Sequence, residues 1–74
     1  MSRLVRMDAS GHTTVAEWTL DDAPAVEAAV LAFRAELENG YFALVSEGEG
    51  HAEQVRELPI DASLVILRRP IAGG

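Results

Sequence analysis

Apolar and polar positions change their period along this chain, and the changes mark out its elements. Residues 3 to 18, RLVRMDASGHTTVAEW, carry apolar and β-branched residues on either side of an Asp-Ala-Ser-Gly stretch, which predicts strand, tight turn and strand. The next segment, TLDDAPAVEAAVLAFRAELENG, places Val26, Val30, Phe33 and Leu37 at spacings of four, three and four with Ala29 beside them. That single apolar stripe predicts an amphipathic helix. Asp21 and Asp22 offer carboxylates to the helix start, Pro24 suits its first turn, and Asn39-Gly40 supplies a left-handed stop. Tyr41 to Ser46, YFALVS, reads as a strand, Gly48 and Gly50 as a turn, and a weaker strand begins near His51. Beyond Pro59 and Asp61, the run Leu64-Val65-Ile66-Leu67 lacks polar alternation, as expected for a strand covered on both faces or lying in the middle of a sheet, and a central last strand follows. The order predicts an α+β fold: one mixed sheet of four to five strands with a single helix packed across it.

The link between the last two strands decides the topology. If the fourth strand ends near Val55, the eight residues from Arg56 to Ser63 span up to about 27 Å and carry the chain across the sheet. If pairing continues to Leu58, a simple antiparallel meander results. A length of 74 residues accommodates one small domain. We expect residues 1–69 to form it, with 70–74 as a flexible tail.

Composition narrows the chemistry. There is no cysteine, which removes disulfides, thiolate metal sites and Cys nucleophiles, and fits a reducing, cytoplasmic setting. Twelve acidic residues against six basic ones give a net charge of −6, the wrong sign for a nucleic-acid partner. No apolar stretch approaches the roughly 20 residues a membrane helix needs, and the first residues lack the apolar h-region of a secretion signal, so neither a membrane span nor secretion is expected. All six basic residues are arginine, so no side chain can accept an isopeptide bond.

Side-chain catalysis is not expected. Asp8, Ser10 and His12 are the residue types of a triad, but they share one tight turn and cannot converge. His12 and His51 follow glycines at the two turns and lack the carboxylate spacing of a metal site, so neither metal nor cofactor is expected. Glu47-Gly48-Glu49-Gly50 carries two carboxylates that would repel a phosphate. Two places suit a partner. Leu31 sits among Glu27, Arg34 and Glu38 on the helix face opposite the stripe. The segment around Phe42 and Leu44 is apolar on both alternations, so either the helix and loops cover it or one side stays open for docking.

The ending, LVILRRPIAGG, carries the most information. Two successive glycines at a terminus arise by chance about once in 200 chains. Pro70 has no N–H with which to continue the sheet, and the five residues from Pro70 onward can reach at most about 17 Å. Glycines at 73 and 74 let the backbone enter a narrow channel, and a terminal carboxylate, with a pKa of about 3.5, is a nucleophile toward ATP.

The order of elements together with Pro70, Ile71, Ala72, Gly73 and Gly74 resembles the β-grasp sulfur carriers, namely the small subunit of molybdopterin synthase and the thiamine-pathway carrier, and more distantly ubiquitin. Asp61 in the turn before the final strand is similar to that family's acidic turn. Residue-level likeness is confined to roughly the last 14 positions, and Arg68 and Arg69 make the tail base more basic than in the carriers. The resemblance implies a β-grasp fold and a substrate rather than an enzyme. It implies adenylation of Gly74 by an ATP-dependent activating enzyme, then a thiocarboxylate for a sulfur-accepting synthase subunit or an amide on a conjugation target. Gly73 and Gly74 would be the reacting tail, Ile71 and Ala72 its grip, and Arg68, Arg69 and Pro70 its hinge and contact. A different class also fits the sequence: a small α+β interaction or structural subunit whose Gly-Gly end is incidental.

Overall fold

A computed structural model describes residues 1–46 and 51–70 of the chain. The expected turn at Gly48 and Gly50 lies outside the described residues, as do Ile71, Ala72, Gly73 and Gly74. Among the described residues the elements are β1 (Ser2–Asp8), β2 (Gly11–Trp18), α1 (Ala23–Glu38), β3 (Phe42–Ser46), β4 (Ala52–Val55) and β5 (Leu64–Arg68).

The β1–β2 hairpin closes through local chemistry. Asp8 lies opposite Gly11, whose φ of 128° is open to glycine, and the Asp8 carboxylate accepts from the Ser10 amide at 2.9 Å and the Ser10 hydroxyl at 2.7 Å. The hydroxyl bond first, and the amide bond after it, lower the Asp8 pKa below the ordinary carboxylate value. Higher in the hairpin the register slips between Leu4 and Val5, which lets Val15 and Ala16 both pack against the core.

The helix ends are capped as their residues dictate. Asp22 accepts from the Ala25 amide at 3.2 Å, with Pro24 in the first turn. At the other end Gly40, at φ 95°, donates to the Leu37 carbonyl and Tyr41 donates to Glu36, each at 3.1 Å, which closes a Schellman motif. Tyr41 therefore belongs to the helix cap, and the strand expected from Tyr41 begins one residue later.

One mixed sheet holds the strands in the order β2-β1-β5-β3-β4. β5 lies at its centre. It runs parallel to β1, with Leu4 beside Val65 and Arg6 beside Leu67, and antiparallel to β3, with Ala43 beside Leu67. β4 stops at Val55, so the chain crosses the sheet through residues 56–63 and the meander does not form. Trp18, buried to 2% exposure, ties the crossing down by donating its indole N–H to the Ile60 carbonyl at 2.9 Å. The Arg3 amide then donates to the Ser63 carbonyl at 3.0 Å, which hands the chain over to β5.

The core lies between the helix and one sheet face: Leu4, Trp18, Ala29, Phe33, Ala43, Val65 and Leu67 are all buried. Ala29 and Phe33 centre the helical stripe, while Val26, Val30 and Leu37 are half-buried on its flanks. Glu36 completes the buried face as a charged residue in an otherwise apolar row.

Two measurements check this account. Phe33→Ala is expected to cost about 3–5 kcal/mol by urea denaturation, because it empties the helix–sheet contact; a loss under about 1 kcal/mol would mean another side chain centres the core. Trp18→Phe removes only the indole donor and part of a ring, for about 1–3 kcal/mol. Hydrogen exchange should then accelerate at Ala62 and Arg3 more than at the β3–β4 pairing, and uniform acceleration would show that Trp18 does not serve the crossing.

Candidate functional site

β5 delivers the chain to the place where the expected reactive tail begins. Its alternation sends Val65 and Leu67 into the core and leaves Leu64, Ile66 and Arg68 on the face away from the helix. On that face Ile66 stands beside Val5 and Leu44, and Arg68 beside Phe42. Phe42, Leu44 and Ile66 are half-buried with no helix over them, which makes a modest apolar strip that ends in a depression lined by Phe42, Leu44, Arg68, Arg69 and Pro70. The segment from Tyr41 to Val45 thus divides: Ala43 and Val45 pack against the core, and Phe42 and Leu44 face outward.

The two adjacent arginines point to different surroundings. Arg68 is exposed at the end of the apolar strip. Arg69 turns toward the helix end, where one terminal N–H donates to the Asn39 carbonyl at 3.3 Å and the guanidinium lies 5.0 Å from the centre of the Tyr41 ring. The same ring has the Arg6 guanidinium 5.9 Å from its centre. Arg6 in turn donates to Glu36 Oε1 at 3.1 Å, an ion pair in which the carboxylate is almost wholly covered. Among the described residues Glu36 Oε2 is buried without a hydrogen-bond partner.

The remaining expected site residues do not join this place. Leu31 is 60% exposed on the solvent side of α1, with the sheet lying between it and the Phe42–Leu44 strip, so no single flat partner touches both. His12 is the second residue of β2 and His51 precedes β4, the two edge strands, so the topology keeps them apart. Asp8 and Ser10 bond to each other inside the hairpin turn. No group of three metal-ligating side chains occurs among the described residues. Among the same residues no helix is long and apolar enough to cross a membrane.

Tyr41, Glu36, Arg6 and Asn39 were not visible as a group from the sequence. One signal was present: Glu36 follows Ala29 and Phe33 at helical spacing, so a carboxylate on the core side requires a cation from another element. Comparison of the chain with family models, with curated proteins and with solved structures yields no match in any of the three.

Proposed function

We propose that the chain is a β-grasp, ubiquitin-like carrier that an ATP-dependent activating enzyme uses as a substrate, with the Gly74 carboxylate as the reacting group. The observation that carries this reading is the parallel pairing of β1 with β5 within the order β2-β1-β5-β3-β4. The last strand occupies the sheet centre, ends at Arg68, and is followed by Arg69, Pro70 and the sequence Ile71-Ala72-Gly73-Gly74. That topology joined to that ending is the combination the sulfur carriers have. The crossing through residues 56–63, on which the resemblance depended, supports it further.

The chemistry follows from the carboxylate. One of its oxygens attacks the α-phosphorus of ATP, the bond to the β-phosphate breaks, and pyrophosphate leaves an acyl adenylate on Gly74. Hydrosulfide or an amine then attacks the carbonyl carbon, loses its proton to solvent and expels AMP, which gives a thiocarboxylate or an amide. Nothing in this sequence of steps asks a side chain of the carrier to move a proton. Its own contribution is recognition: Ile71 and Ala72 as grip, Arg68 as a charge at the end of the apolar strip, and Phe42 and Leu44 as the strip itself.

Incubation with adenylating enzymes of the same organism and ATP is expected to release pyrophosphate, and deletion of Gly74 to abolish the release while the circular dichroism spectrum stays unchanged. Equal release from the deletion variant overturns the carrier reading and leaves the small interaction or structural subunit as the better account.

A further inference from the structure

The C-terminal end of α1 has an electrostatic problem that its own sequence does not solve. A helix gathers partial negative charge at its last carbonyls, yet the last turn holds no basic residue and carries Glu36 and Glu38. Positive charge arrives from elsewhere in the fold. Arg6 comes from β1 and bonds Glu36, and Arg69 comes from beyond β5 and donates to the Asn39 carbonyl at the cap. Both guanidinium groups meet on Tyr41, whose own amide is held by the Glu36 carbonyl at 3.1 Å. The Glu36 carboxylate offsets the repulsion between two cations sharing one ring.

From this arrangement we infer that Tyr41 is a positioning residue for the reactive tail: it holds Arg69, and with it the backbone just ahead of Ile71, against the C-terminal end of α1. The inference deepens the carrier reading and rests on it for its kinetic consequence alone. Neighbouring arginines then have separate tasks. Arg68 faces outward beside Phe42, where a partner meets it, whereas Arg69, also exposed, turns along the surface toward Tyr41 and the Asn39 carbonyl and fixes the direction in which the chain leaves the sheet. A stem fixed beforehand spares an activating enzyme the ordering of a long side chain and of the backbone that bears it.

The full-length chain tests this by NMR without any enzyme. The ring current of Tyr41 is expected to shift the Arg69 side-chain Nε–H signal upfield of that of Arg68. Tyr41→Leu should erase the difference, while Tyr41→Phe, which keeps the ring, should preserve it. In the adenylation assay Tyr41→Leu is expected to raise KM for the carrier about two- to fivefold at unchanged kcat, the size of an exposed cation–π contact, with Tyr41→Phe at the wild-type value. Coincident Arg68 and Arg69 signals in the wild-type chain overturn the inference, as does a Tyr41→Phe variant that behaves like Tyr41→Leu. If Tyr41→Leu does not fold, the wild-type and Tyr41→Phe spectra still decide. Failure of the carrier reading is registered separately, by pyrophosphate release from the Gly74 deletion, and leaves the NMR result standing.

Discussion

Everything in this fold waits on the parallel pairing of β1 with β5, residues 2–8 with residues 64–68. Two neighbouring strands in sequence can close through a tight turn, but a parallel pair needs a crossing connection, and here that pair joins the two halves of the sheet. Without it the β1–β2 hairpin is a separate two-stranded ribbon, marginal in water, detached from the three strands β5, β3 and β4. With it Leu4, Val65 and Leu67 form one continuous apolar floor, and the helix has something to cover. The indole bond from Trp18 to Ile60 matters for the same reason, since it fixes the crossing on which the pairing depends.

The helix plays two parts at once. Its Ala29–Phe33 face seals the floor by burial, which contributes most of the stability of so small a domain. Its C-terminal end, left negative by composition, collects cations from β1 and from the stem beyond β5. The polar end of the helix–sheet layer thus adjoins the point where the chain leaves the sheet, and the core and the exit share one set of neighbours around Tyr41.

Much of this was legible beforehand, and the reasons are local. The stripe through Phe33, the Asp22 cap and the Gly40 stop depend on neighbours within one or two helical turns, and each formed as expected. The unalternating run at Leu64 to Leu67 announced a central strand because such a strand is flanked by neighbours on both edges, and here Leu64 and Ile66 stay half-buried even on the face that the helix does not cover. What stayed hidden depends on residues far apart in sequence. Arg6 and Glu36 are separated by 30 positions, as are Asn39 and Arg69, and Trp18 and Ile60 by 42. No period within one segment reports such pairs. Tyr41 misled for a related reason: an aromatic after Asn-Gly looks like the first residue of a strand, and only the Schellman bond to Glu36 shows that it still belongs to the helix.

The position of β5 also governs how the chain meets its own synthesis. The strand that fills the sheet centre is made after the other four strands and the helix, so until it emerges the β1 edge facing away from β2 and the β3 edge facing away from β4 both lack their partner. Such edges are open templates for pairing with another chain. β5 closes both in one step, and that same step establishes the core. Folding is accordingly deferred to a single late event, and the span between emergence of β1 and emergence of β5 is the window in which this small domain is most exposed to edge-to-edge association.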